Sequence, residues 1–323
     1  MSGPVATVLL LAGFGLIAWG AETFAEHLGA AAVTLGVSTF ALAVLLAGAE
    51  PEELATGVIG SLRHVPAVAY GDVIGANVAM CLVVLGIGAS LAPIVVSTAG
   101  LRYGLLALPA GVLCAALAWN GHVGRPGGAV LVGAYLVYVG AIWKLEGRPP
   151  TIGEAGEVEE ARENAAKHPT DTPHRAGLDL AIVLVAVASM AGGGWALVTG
   201  LEHLTHATSA QTTLSLTLVG FATAFELVVL AVSAARRGKS DILVGAVVGS
   251  FAYNATMTLG ASALARPLNL SSATQLHMPL VTMVAALALI LVVGFGKPRI
   301  TRPTGTILIL AYAAWIAAVV HAA

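Results

Sequence analysis

Glu50, Glu52 and Glu53 cluster in Ala47-Gly48-Ala49-Glu50-Pro51-Glu52-Glu53-Leu54, and Glu226 lies inside the apolar run 214–235. An ionised side chain in hydrocarbon is expensive unless it lines a polar cavity, so these carboxylates are the first candidates for chemistry. Oxygen ligands of mixed charge suit hard cations, and Ca2+ accepts about six to eight of them in flexible geometry. Two carboxylates in a low-dielectric cavity repel each other. A divalent ion relieves that repulsion, and so do protons or monovalent ions with neutral oxygens. A loaded site can then cross while an empty, charged one resists crossing, which is the coupling an antiporter needs. Glu50 and Glu53, three residues apart, share a helical face, whereas Glu52 points elsewhere on a regular helix. Neutral oxygens would come from Thr223, Ser250, Asn254 and Asn77, residue types that also serve as plain contacts between membrane helices. Asp72 is placed nearer a helix end and ranks below them.

The elements that position these groups follow from composition. The chain has 323 residues, 58% hydrophobic and 10% charged, against about 25% charged for a soluble domain. At about 20 residues per span, the chain holds roughly ten membrane helices and no large soluble domain. Apolar runs fall at 5–22, 30–62, 66–91, 101–119 and 128–145, then at 178–200, 210–236, 240–265, 277–296 and 304–321. The run 30–62 is too long for one crossing, and Pro51 with Gly48 predicts a broken helix beside the glutamates, exposing carbonyl oxygens. Between the two sets lies an acidic, proline-containing stretch that cannot bury enough surface to fold alone. The expected domains are a first five-helix repeat at 1–145, an acidic linker at 146–177 and a second repeat at 178–323.

Glu53-Leu54 and Glu226-Leu227 each end a Gly/Ala-rich run and precede a basic turn. Then follow Gly71-Asp72-Val73-Ile74-Gly75-Ala76-Asn77 and Gly245-Ala246-Val247-Val248-Gly249-Ser250-Phe251, a likeness that points to internal duplication. An odd number of helices per unit makes the copies inverted, so the predicted fold is all-α and integral to the membrane, with ten transmembrane helices as two inverted five-helix repeats. Alternate connections divide the 15 Lys and Arg so that only Arg63, Arg125 and Arg266 fall on one side. Cytoplasmic loops collect Lys and Arg, which places the 146–177 linker in the cytoplasm and both termini outside, in the cell membrane. The first run lacks a basic leader and a small-residue cleavage site, so it reads as a permanent helix. Cys81 and Cys114 lie in apolar stretches and read as core. The nine His fall mostly at helix ends and loops, His277 included, where no special role is required. The linker reads as a solubilising connection, too short for a folded regulatory domain. Nothing suggests nucleic-acid binding, a cofactor or an enzyme; the expected partners are inorganic cations and the bilayer.

The two segments resemble the paired alpha repeats of the calcium/cation antiporter superfamily, which includes the sodium/calcium exchangers. That motif reads roughly Gly-Thr-Ser-x-Pro-Glu-Leu, then Gly-Asn-x-Ile-Gly-Ser-Asn-x-x-Asn. The resemblance spans both repeats and most of the chain, and implies an inverted five-plus-five bundle with a central Ca2+ site built on one Glu from each half. Glu53 matches the first-repeat glutamate without a gap. Aligning 216–238 without gaps puts Glu226 on the motif's Pro and Leu227 on its Glu, so either a local one-residue shift restores the carboxylate or it projects about 100° away. In the ungapped register Glu226 pairs with Glu52. The Thr-Ser pair is Ala49-Glu50 in the first repeat, and the later Ser and final Asn are Ala76 and Met80; Thr223, Ser250 and Asn254 keep oxygens in the second. Na+ needs a cage of several oxygens whereas protons need only titratable groups, so these departures and the extra carboxylate of Glu50 favour proton over Na+ coupling. The expected function is outward transport of Ca2+ or a similar cation in exchange for H+ or Na+. Two readings stand beside it: a ten-helix organic-solute or metabolite exporter, and a membrane protein that binds divalent ions without transporting them.

Overall fold

The structure, a computed structural model, describes residues 3–34, 50–146, 173–205, 207–236, 242–296 and 299–322. The first half contains α1 (Gly3–Thr34), α2 (Pro51–Leu62), α3 (Pro66–Ala79, a π turn at Met80–Val84, and Leu85–Leu91), α4 (Thr98–Ala118) and α5 (Arg125–Glu146). The second contains α6 (Pro173–Leu204), α7 (Thr208–Leu214, a π turn at Ser215–Val219, and Gly220–Thr223), α8 (Phe225–Arg236), α9 (Ile242–Tyr253, a π turn at Asn254–Thr258, and Leu259–Ala265), α10 (Thr274–Gly296) and α11 (Arg302–His321). Helices dominate because a chain in lipid must pair its backbone groups within itself. Among the described residues nine segments are long and apolar enough to cross a membrane, α7 and α8 together making one. The further span expected over 30–62 includes residues outside the described ones; its second part is α2.

The inverted repeat is visible in three places. Helices α2 and α8 are each 12 residues long and start at Pro51 and Phe225, 174 positions apart. The π turns beginning at Met80 and Asn254 keep that spacing, as do the helix ends at Leu91 and Ala265. Second, α1 and α6 cross face to face at glycine. A Cβ on Gly13 would meet the Gly193 carbonyl at 2.7 Å, and one on Gly193 would meet that of Gly13 at 2.6 Å. Gly20 lies against Ala186 and Met190 while Gly200 lies against Ala6 and Leu10, so each contact recurs with the partners exchanged. That reciprocity is the mark of a two-fold relation.

Third, short strands join the halves. β1 (Ile94–Val95) pairs antiparallel with β4 (Arg299–Ile300), and β2 (His122–Val123) with β3 (Leu268–Asn269). Exchanging the repeats turns β1 into β3 and β4 into β2, so one pair maps onto the other. Beside the second pair His122 hydrogen-bonds Asn269, and His277 stacks on Trp119 with ring centres 4.2 Å apart.

Helices α3 and α9 are the most enclosed spans and form the centre, with more lipid-facing helices around them. Cys81 and Cys114 are buried and unpaired, as expected of core residues. Helix α6 begins at Pro173, inside the stretch read as linker, because proline is well suited to the first turn of a helix. The other linker residues, 147–172, lie outside the described ones.

Candidate cation site

The α2 helix starts in the middle of the protein. Pro51 opens its first turn, and Glu50 precedes it with a non-helical backbone, φ −127° and ψ 83°. Glu52 and Glu53 occupy that first turn, and all three glutamates are buried. The unpaired N–H groups and dipole of a helix N-terminus favour negative charge, which offsets part of the cost of burying them. The second repeat is interrupted at the same place without proline. Thr223 ends α7, Ala224 breaks the helix, and α8 restarts at Phe225.

Glu50 accepts a hydrogen bond from Ser250 of α9 and lies within electrostatic reach of Glu52, Glu53 and Glu226. Glu53 lies within electrostatic reach of Asp72, Glu52 and Glu226. The Glu53 carboxylate comes up against the Asn254 side chain, yet neither of its oxygens nor Asn254 Nδ2 completes a hydrogen bond of normal geometry. Asn254 opens the α9 π turn, and its Oδ1 accepts from Thr258 Oγ1 at 3.3 Å. Asn77 on α3 spends its amide on the Phe251 carbonyl at 3.3 Å and on Met283 Sδ at 3.6 Å, leaving Oδ1 without a partner.

Thr223 enters the site through a residue ranked low from sequence. Its Oγ1 donates to Asp72 Oδ1 at 2.8 Å, and Asp72 is fully buried in the second turn of α3. The contact exists because α3 and α7 touch at their backbones. A Cβ on Gly71 would collide with Ser215, one on Gly75 with the Leu216 carbonyl, and one on Gly220 with Gly75 and Ala76. Small residues four apart allow this approach, so the acid between Gly71 and Gly75 on a helix reading Gly-x-x-x-Gly was the available signal. Distance from the helix end proved a poor guide, since the neighbouring repeat covers that end.

Glu226 follows the ungapped register. It is the second residue of α8, as Glu52 is of α2, and Leu227 takes the place of Glu53. It is only half-buried, next to exposed Phe225, while Leu227 turns inward and is buried. Its charge still reaches Glu50 and Glu53.

The structure thus brings Glu50, Glu52, Glu53, Ser250, Asn254, Thr223 and the lower-ranked Asp72 together, with Asn77 alongside on α3 and Glu226 at the edge. Among the described residues, both oxygens of Glu52 and of Glu53, and Asp72 Oδ2, are buried without hydrogen-bond partners. Among the described residues the ion pairs are His27–Asp179, Arg63–Glu202 and Arg102–Glu146, none of which reaches this cluster. Among those residues no three His, Cys, Asp or Glu side chains stand in the arrangement of a preformed metal site. A cation held here would therefore draw on hydroxyl, amide and carbonyl oxygens as well as carboxylates.

A family model described as sodium/calcium exchanger protein matches residues 5–144 and 178–320. The inner membrane protein YrbG of Escherichia coli (strain K12) is 24% identical over 97% of this chain and 96% of its own. The sodium/calcium exchanger MaX1 of Methanosarcina acetivorans is 24% identical over 96% of this chain and 97% of its own. Among solved structures, the sodium-calcium exchanger NCX_Mj soaked with Na+ and Sr2+ superposes with a TM-score of 0.61 at 21% identity, covering 98% of this chain and 99% of that one.

Proposed function

Because the chain belongs to the sodium/calcium exchanger protein family, an integral membrane family of exchangers, we propose that it is a secondary active antiporter exporting Ca2+ or a similar cation in exchange for H+. The observation that carries this reading is the set of buried carboxylate oxygens of Glu52, Glu53 and Asp72 that complete no hydrogen bond of normal geometry among the described residues. Unpaired charge of one sign is costly in a low-dielectric interior, and mobile cations are the natural means of relieving it. The sequence points to Glu53 and Glu226 as principal ligands with Glu50 as an additional titrating group; because Glu226 is only half-buried and Glu50 is buried, this proposal exchanges those two, with Glu52, Thr223, Ser250, Asn254 and Asn77 completing the set.

Proton rather than Na+ coupling is favoured by what surrounds those acids. Ala76 and Met80, at the positions of the motif's Ser and final Asn, supply no side-chain oxygen. Several carboxylates with few neutral oxygens can be neutralised by protons more readily than caged around Na+. In orientation, the two five-helix repeats are joined by a cytoplasmic linker, with both termini outside the cell membrane, on the strength of the Lys and Arg distribution. An organic-solute exporter would need apolar and aromatic lining at its centre, whereas acidic and small polar side chains gather there.

The test is Ca2+ uptake into proteoliposomes under imposed gradients. A pH gradient alone should drive accumulation in the absence of Na+. Uptake that requires a Na+ gradient and ignores pH overturns the coupling, and high-affinity binding without flux supports a non-transporting divalent binder instead.

A further inference from the structure

Asp72 belongs to a row of oxygens that the other repeat lacks. Its Oδ1 holds the Thr223 hydroxyl, while Oδ2 is buried with no partner among the described residues. A Cβ on Gly57 would lie 3.9 Å from Asp72 Oδ2, 2.7 Å from Ser262 Oγ and 3.2 Å from Thr258 Cγ2, so Asp72 and Ser262 turn oxygens and Thr258 its methyl toward Gly57, where any side chain would collide. Gly57 is about one helical turn past Glu53, or roughly 6 Å, in the direction of Arg63.

Along α9, Asn254, Thr258 and Ser262 recur every fourth residue and form one stripe facing α2. Thr258 donates to Asn254 Oδ1, and Ser262 Oγ donates to the Thr258 carbonyl at 2.7 Å. Ser61 Oγ contacts the Ser262 carbonyl at 2.6 Å and the Arg266 carbonyl at 2.9 Å, ending the row at the Arg63 and Arg266 face. Each hydroxyl places its single proton on an acceptor, which leaves lone pairs available to a cation. The positions 174 residues away are Ala246 for Asp72, and Met80, Val84 and Gly88 for the α9 stripe. None of those side chains carries an oxygen, so the row leads from the glutamates toward one face alone.

We infer that Asp72, with Thr223, Ser262 and, on the side of Asn254, the Thr258 hydroxyl, forms a transit subsite for Ca2+ one turn from Glu53, occupied as the ion passes between the glutamate cluster and the Arg63 face. This rests on the glutamate cluster being the transport site, and adds that the two faces of the carrier handle the ion differently. Gly57 is part of the subsite, because a side chain there would fill it.

Radiolabelled Ca2+ flux measured separately from each face, in vesicles of known orientation, tests the inference on Asp72→Asn, Thr258→Val and Ser262→Ala. Asp72→Asn should raise KM for Ca2+ about tenfold from the Arg63 face and far less from the opposite face; Thr258→Val should do so in the same sense but more weakly. Asp72→Glu should restore part of the loss. Equal shifts at both faces, or none at either, overturn the subsite. If Asp72→Asn does not fold, as judged by its melting in detergent, the two hydroxyl variants decide the question by the same criterion. Wild-type protein that moves no Ca2+ from either face would refute the antiporter instead. Equilibrium binding of radiolabelled Ca2+ to detergent-purified protein then tests the subsite, which requires weaker binding in Asp72→Asn than in wild type and is refuted by equal binding.

Discussion

Glu226 occupies, in the second repeat, the place that Glu52 and not Glu53 occupies in the first. The two-fold relation therefore matches one half-buried acid to one buried acid, and sets Glu53 opposite Leu227. Four of the acids in the cluster come from the first half and one from the second.

That imbalance sets the order of sensitivity to mutation. Glu53→Gln should lower Ca2+ flux roughly a hundredfold or more, about 3 kcal/mol, the upper range for losing a charge-assisted contact. Glu226→Gln should cost several times less, because its side chain stands at the edge. Initial rates of uptake in proteoliposomes measure both, and equal losses would show that Glu226 turns fully inward during the cycle.

Proton competition predicts the sign of the pH dependence. Carboxylates bind Ca2+ only when ionised, so Ca2+ affinity at equal pH on both sides should rise as pH rises and fall as acid is added. Equilibrium binding across a pH series checks this, and an affinity that falls on raising pH would contradict it.

The reciprocal crossing of α1 and α6 predicts matched penalties. Gly13→Val and Gly193→Val should each destabilise by about 1–3 kcal/mol, the usual cost of overpacking, since both Cβ positions run into backbone of the opposite helix. Gly15→Ala should be nearly silent, because nothing lies within 4 Å of its Cβ position. Thermal unfolding in detergent distinguishes them, and unequal losses at 13 and 193 would break the two-fold relation there.

Ser61 serves two carbonyls at the end of α9, those of Ser262 and Arg266. Ser61→Ala should cost about 1 kcal/mol, the net worth of a typical hydrogen bond, because the Ser262 carbonyl keeps the Arg266 N–H at 3.0 Å and Arg266 is exposed. The Arg63–Glu202 pair nearby, at 2.6 Å, is partly solvated, so Glu202→Gln should cost under about 1 kcal/mol. Melting temperatures of the two variants should therefore rank Ser61→Ala below Glu202→Gln.

The glutamates, the break at Pro51, the duplication and the pattern of membrane spans were legible in the sequence because each is a local signal: charge within apolar runs, a proline, a repeated string of residues. The register of Glu226 was left open because deciding it requires knowing where α8 starts, and Phe225 carries none of the start signal that Pro51 carries. Asp72 was undervalued for another reason. Its partner, Thr223, is 151 residues away, and only the glycine contact between α3 and α7 brings them together. The α9 stripe was equally hidden, since threonine and serine at fourfold spacing look like ordinary helix contacts until Gly57 is seen opposite them.

The strand pairs carry a consequence for biosynthesis. Ile94 pairs with Ile300 and His122 with Asn269, so the first half leaves the ribosome with two edges whose partners have not been made. At about 5–20 residues per second, Ile94 waits roughly 10–40 s for its partner to be synthesised. For that interval the nascent chain depends on the insertion machinery or the lipid headgroups to keep those edges from pairing with another copy.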